Sequence, residues 1–196
     1  PPASTFARPA ALPATAPLSG ARALQTLARA LPDDAIVVEE APSHRHALHE
    51  RLPIARPGAF FAAASGSLGW ALPAAVGAAL AKPGRRVVAI LGDGSSMYGI
   101  QGLWTARRLG LPITFVILNN RSYAAMDQFG RYLGLHGTPS FDLAGIDFVR
   151  AAESFGMYGV RVQRAAVLES ALRAGFSAEG PTLVDVHVDD AAAAIY

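Results

Sequence analysis

Residues 86–122 read RVVAILGDGSSMYGIQGLWTARRLGLPITFVILNNRS. An apolar run from Arg86 to Leu91 closes on Gly92-Asp93-Gly94, a helical segment follows, and a second apolar run closes on Asn119-Asn120. Apolar runs without alternation are the pattern of central parallel strands covered on both faces. A strand–helix–strand crossover of this kind is right-handed almost without exception, so both runs end on one edge of the sheet, where open α/β sheets bind ligands. Asp93 and Asn120 therefore belong to one crevice.

Magnesium takes about six oxygen ligands, few of them from protein and the rest from phosphates and water. The Asp93 carboxylate, the Asn120 amide oxygen and the backbone carbonyl of Ser122 supply three and leave room for a diphosphate. Gly92 and Gly94 allow a sharp turn and close phosphate approach, and Ser95 and Ser96 open a helix whose first N–H groups favour an anion. Gly-Asp-Gly alone is most often a turn, as is Asn-Asn. Their occurrence on consecutive strands joined by one helix carries the metal and diphosphate reading.

Alternation of strand and helix continues outward from this unit. Ser19 caps a helix bearing Ala23, Leu24, Leu27 and Leu31 at helical spacing, stopped by Pro32. Ala35–Val38 is a short buried strand that delivers Glu39 to Ser43. The polar helix Ser43–His49 carries His44, His46 and His49; with no carboxylate at a matching position it reads as solvated or partner-facing rather than as a metal site. Phe60–Ala63 is a strand, and residues 64–69 form a turn into a helix around Trp70 to Ala81. Downstream, Tyr123–Phe129 is a short helix and Gly130–Gly145 a long, lid-like loop. Asp147 caps a helix through Phe155, Val160–Val162 is a strand, Ala165–Ser177 a helix and Pro181–Val188 the last strand. The whole predicts an α/β fold: a doubly wound, mostly parallel sheet with helices on both faces.

The chain has 196 residues, 52% hydrophobic and 16% charged, enough for one domain with its own core. The expected division is a Pro/Ala-rich interdomain linker over residues 1–17, which carries five prolines and is expected to be disordered or draped over the surface, a domain over 18–190 and a tail over 191–196. The linker has no signal-peptide pattern and reads as a join to something larger. A net charge of +2 without basic runs interleaved with aromatics does not argue for nucleic acid. The apolar stretch Leu68–Ala81 is shorter than the roughly 20 residues that span a bilayer. With no cysteine there is no disulfide framework or thiolate metal site, and a cytoplasmic setting fits.

At these residues the sequence resembles the diphosphate-binding domain of the thiamine-diphosphate enzymes, whose motif begins Gly-Asp-Gly and ends Asn-Asn. ASGSLGWALPAAVGAALA, LGDGSSMYGIQGLWTARRLGLPITFVILNN, SYAAMDQF, GIDFVRAAESFGMYGV and EGPTLVDVHV are most similar to the C-terminal domain of the benzoylformate decarboxylase type, from about Leu18 to Asp189. The resemblance implies thiamine diphosphate and magnesium as cofactors and a 2-keto acid as substrate. By position it implies that Asp93, Asn120 and the Ser122 carbonyl bind the metal, that Ser43, Gly94 and Ser95 contact the diphosphate, and that Gly92 and Tyr123 belong to the cofactor site. The Gly66 carbonyl would accept from the aminopyrimidine, Leu68 would sit under the bent cofactor, and Met126 and Phe129 would line the substrate pocket.

Read as residues alone, Met126 and Phe129 suit either an apolar wall for an aromatic or branched substrate or ordinary helix packing. Arg121 and Ala124 stand where glycine is frequent in the family, which puts the backbone beside the third metal ligand in question. The family's activating glutamate and pocket histidines lie on other domains, the glutamate in a partner subunit of a dimer or tetramer. A carboxy-lyase fragment without activity of its own is therefore expected. An acetolactate-synthase-like carboligase domain and a non-catalytic magnesium–diphosphate module are the alternatives. Against a nucleotide-binding domain, neither a G-x-x-x-x-G-K-[ST] loop nor a G-x-G-x-x-G turn is present.

Overall fold

The computed structural model describes residues 10, 12–13, 18–54, 56–135 and 141–189. Six strands, β1 (Ile36–Glu40), β2 (Phe60–Ala62), β3 (Val87–Gly92), β4 (Ile113–Asn119), β5 (Tyr158–Val162) and β6 (Thr182–His187), form one sheet in the order β2-β1-β3-β4-β6-β5. Every pairing is parallel. Chain direction across the sheet reverses between β1, which leads outward to β2, and β3, which leads to β4, so a crevice opens there at the carboxyl ends.

Side-chain alternation divides the core into two layers. Val37, Val88, Ile90, Val116, Leu118, Val184 and Val186 face helices α1 (Gly20–Ala30), α2 (Arg45–Arg51) and α8 (Ala165–Ser177). Ile36, Val38, Ala89, Leu91, Ile113, Phe115 and Ile117 face α3 (Ala71–Ala81), α5 (Gly102–Arg108) and α7 (Phe148–Ser154). With both faces covered, the strands need no polar side, which is why they read as unbroken apolar runs.

Several boundaries differ from the sequence-based expectation. The single helix expected between β3 and β4 is two short ones, α4 (Asp93–Met97) and α5. Gly99 and Gly102 lie at the break, packed against Pro73 and Leu72 of α3, where a Cβ on Gly102 would run into Leu72 and one on Gly99 would press on Pro73. Helix α6 runs Ala124–Tyr132, three residues past the expected end at Phe129 and into the expected lid. Of that lid, residues 136–140 lie outside the described residues. Residues 141–143 lie against the turn after β4, with Tyr123 N–H donating to the Phe141 carbonyl and Leu143 N–H to the Arg121 carbonyl. The expected linker and tail fall largely outside the described residues as well, but Leu12 N–H donates to Gln25 on α1.

Strand β1 is longer than expected because it carries Glu39 and Glu40 into the interior. Burial of a carboxylate is costly unless it is hydrogen-bonded, and both are. Glu39 takes the Ala41 N–H at 2.8 Å and pairs with Arg45 at 3.2 Å. Glu40 reaches across to the start of α3 and accepts from the N–H groups of Gly69, Trp70 and Ala71 at 2.6, 2.7 and 2.6 Å. It supplies the cap that α3 lacks locally, and it fixes the turn carrying Gly66 and Leu68 to the end of β1.

Among the described residues no helix is long and apolar enough to cross a membrane. Glu40→Ala strands three N–H groups, and a loss of about 3 kcal/mol of stability is expected in urea denaturation, given that bonds to charged acceptors contribute about 1.5–3 kcal/mol each and water can reach some of the freed donors. Glu40→Gln, which keeps one acceptor oxygen, is expected to lose about half as much.

Candidate functional site

The carboxyl ends of β1, β2, β3 and β4 border a cavity of about 260 Å³, and the candidate metal, cofactor and substrate-wall residues line it; Ser96 does not, its hydroxyl donating instead to the Gly92 carbonyl. Ser43 comes from the 3-10 turn after β1 (Pro42–His44), Gly66 and Leu68 from the turn before α3, and Gly92, Asp93, Gly94 and Ser95 from the β3–α4 junction. The β4–α6 connection supplies Asn120, Ser122 and Tyr123, and α6 supplies Met126 and Phe129, both about half exposed. Pro42, His44 and Arg45 line the cavity too, and sequence reasoning gave them no place there.

The centre of the arrangement is Asp93, which is 3% exposed. Its Oδ1 accepts from Gly94 N–H at 2.8 Å, and its Oδ2 accepts from Ser122 N–H, on the neighbouring strand's turn, at 3.2 Å. Asn120 Oδ1 accepts from the same Ser122 N–H at 3.1 Å. A carboxylate oxygen and an amide oxygen from two strands thus converge on one point. That donor set, all hard oxygen, suits magnesium. Burial pushes Asp93 up from the usual 3.8 to about 6, against the lowering effect of the Gly94, Arg121 and Ser122 N–H groups. A cation beside it would reverse that shift.

Arg121 has φ 60°, the left-handed region that glycine enters freely and other residues enter at a cost of about 1–2 kcal/mol. The replacement of the frequent glycine therefore leaves the backbone in a glycine-type conformation. It is held there by Asn119 Oδ1, which accepts from Arg121 N–H at 3.1 Å. Gly94 is required by packing: a Cβ there would run into the Tyr123 ring. Burial, with Tyr98 and Asp93 nearby, raises the Tyr123 phenol above its ordinary value.

Of the three histidines, His46 and His49 are exposed, as expected of a solvated helix, and His44 is not. His44 is buried against Gly20, and burial lowers it to about 4, so it is neutral near pH 7. His46 is exposed and pairs with Glu50 at 3.1 Å, a carboxylate one helical turn on that the sequence reading passed over, and His49 packs edge-on to Phe60. No group of three His, Cys, Asp or Glu able to hold a metal occurs among the described residues. The expected magnesium site would not form such a group, since its only carboxylate is Asp93, beside the Asn120 amide oxygen.

A doubly wound parallel sheet with hard oxygen donors and glycine turns converging at its switch point defines a phosphate-ligand-binding α/β domain. The chain belongs to the thiamine pyrophosphate enzymes: the family model for their C-terminal thiamine-pyrophosphate-binding domain matches residues 41–186. It is 41% identical over 155 residues to a benzoylformate decarboxylase of Pseudomonas aeruginosa, covering 79% of this chain and 29% of the relative. It is 43% identical over 125 residues to an acetolactate synthase of Bacillus subtilis, covering 63% and 21%. Among solved structures, a thiamine-diphosphate-dependent 4-hydroxybenzoylformate decarboxylase of Rhodococcus jostii superposes with a TM-score of 0.87 at 39% identity, over 92% of this chain and 34% of that one. A benzoylformate decarboxylase of Polynucleobacter necessarius gives 0.89 at 31% identity, over 93% and 35%. The chain thus spans about a third of the length of these decarboxylases.

Because Asp93 binds its proton up to about pH 6 in the fold but only to about 3.8 in the unfolded chain, the metal-free protein is expected to lose stability as pH rises from about 4 through about 6. Asp93→Asn, which does not ionise, is expected to flatten that part of a urea-denaturation pH profile. In the absence of metal it should be more stable than the wild type above pH 7, by on the order of 1–3 kcal/mol.

Proposed function

We propose that this chain is the cofactor-binding part of a benzoylformate decarboxylase-like carboxy-lyase, holding thiamine diphosphate and magnesium and acting on an aromatic or branched 2-keto acid. The observation that carries the metal half is the convergence of Asp93 Oδ2 and Asn120 Oδ1 on Ser122 N–H. In this reading the two side-chain oxygens and the Ser122 carbonyl hold magnesium. Gly92, Gly94, Ser95, Ser43 and Tyr123 surround the diphosphate. The Gly66 carbonyl orients the aminopyrimidine, Leu68 supports the bent cofactor, and Met126 and Phe129 form the apolar wall beside the reacting carbon.

When bound, thiamine diphosphate supplies the electron sink that lets carbon dioxide leave from a 2-keto acid, so the protein's share is binding, orientation and exclusion of water. Glu40 serves orientation, since it fixes the turn bearing Gly66 and Leu68. The acid that activates the cofactor and the polar groups that receive the substrate carboxylate are assigned to other domains of the intact enzyme, a homodimer or homotetramer. Decarboxylation is supported by two solved decarboxylases that superpose over 92% and 93% of this chain, with carboligation the second reading, since acetolactate synthase relatives match 82–89% of it.

Titration calorimetry with thiamine diphosphate is expected to show magnesium-dependent binding in the wild type and loss of that dependence in Asp93→Ala. Equal binding by both would overturn the metal assignment. The isolated chain with both cofactors is expected not to turn over benzoylformate, and steady turnover would show that the activating group lies within it.

A further inference from the structure

Asp185 is a fully buried carboxylate in the middle of β6, with 0% exposure, and the reading above gives it no task. Its Oδ1 accepts from Asn119 Nδ2 at 2.9 Å, and its Oδ2 from Arg161 Nε at 3.3 Å. His187 Nε2 lies 3.2 Å from the same Oδ2. Arg161 also pairs with Asp147, the residue that caps α7, at 2.7 Å. These groups lie on the α7 side of the sheet, behind the turn that carries Asn120 and Ser122.

We propose that Asp185 is a positioning residue for the metal-binding turn, acting through Asn119. The inference rests on the reading of that turn as a magnesium site. An ionised carboxylate only accepts, so it compels the Asn119 amide to present its NH₂ to β6 and its carbonyl oxygen to the turn. That oxygen receives Arg121 N–H at 3.1 Å, where φ is 60°. On the opposite side the turn is held by Asp93 Oδ2 and Asn120 Oδ1, both on Ser122 N–H. Those two oxygens are the ones a metal would claim. The contact from Asn119, like the bonds that tie Arg121 and Tyr123 to Leu143 and Phe141, is a support that does not compete with the ion, and it is the one whose orientation Asp185 sets. Groups that orient metal ligands from behind commonly change metal affinity about ten- to hundredfold when removed.

The test uses the full-length enzyme that contains this chain, with magnesium titrated at saturating thiamine diphosphate and binding followed by tryptophan fluorescence. Asp185→Asn removes the charge and lets the Asn119 amide turn over. Its half-saturating magnesium concentration is expected to rise at least about tenfold. Adding Arg121→Gly, which adopts the left-handed conformation without strain, is expected to restore most of the lost affinity, a rescue that a purely structural role would not show. Wild-type magnesium affinity in Asp185→Asn, or loss without rescue by glycine, overturns the inference while leaving the magnesium site standing. Absence of magnesium-dependent binding in the wild type removes both. Should Asp185→Asn fail to fold, Asn119→Ala, which leaves Asp185 with Arg161 and His187, is expected to give the same loss and the same rescue, and unchanged affinity there overturns the inference equally.

Discussion

The parallel pairing of β3 with β4 is the constraint on which the site depends. Its register sets Gly92 opposite Leu118, so the next residues of each strand leave the sheet side by side. Asp93 and the Asn120–Ser122 turn are brought within hydrogen-bonding distance by that register alone. A two-residue slip would move the carboxylate about 6.6 Å along the strand, beyond any shared ligand. The apolar interdigitation of both core layers prevents the slip. Packing far from the crevice is thereby coupled to the position of two oxygens within it.

Buried charge is handled differently on the two sides of this pair. Glu39 and Glu40 at the end of β1 are satisfied by backbone N–H groups and an arginine, and Asp185 by an amide, an arginine and a histidine. Asp93, like Glu40, takes only backbone donors among the described residues, but burial raises it toward neutrality. In the proposed reading, a cation in the cavity would favour the ionised form of this carboxylate.

Much of this was legible in sequence because strands buried on both faces leave an unmistakable apolar signature, and because Gly-Asp-Gly and Asn-Asn sit where such strands end. The caps at Ser19 and Asp147 were equally readable, since their hydrogen bonds are local: each accepts from the N–H three residues on. What escaped was non-local. Glu40 reads as the polar end of a strand until Gly69–Ala71, 29 to 31 residues away, are known to lie above it. Asp185 in TLVDVHV interrupts an apolar alternation, a signal in itself, but its partner Asn119 is 66 residues distant. The break between α4 and α5 arises from packing against Leu72 and Pro73, which no helical period within the segment reports. His44 alone of the three histidines escaped the solvated reading, for the same reason: its burial depends on the absence of a side chain at Gly20.

Strand order adds a consequence for how the protein is made. Strand β6 is the last of the six in sequence yet lies between β4 and β5. On the ribosome, β5 therefore has no neighbour to pair with until residues 182–187 emerge, and β4, largely apolar, presents an open edge for that interval. Long-range parallel pairing is slow and aggregation-exposed, and here the exposed edge is the strand that ends in the ligand turn. Every residue that lines the crevice, from Pro42 to Phe129, is synthesised before β6, so the parts of the site are present while the sheet beside β4 is still open.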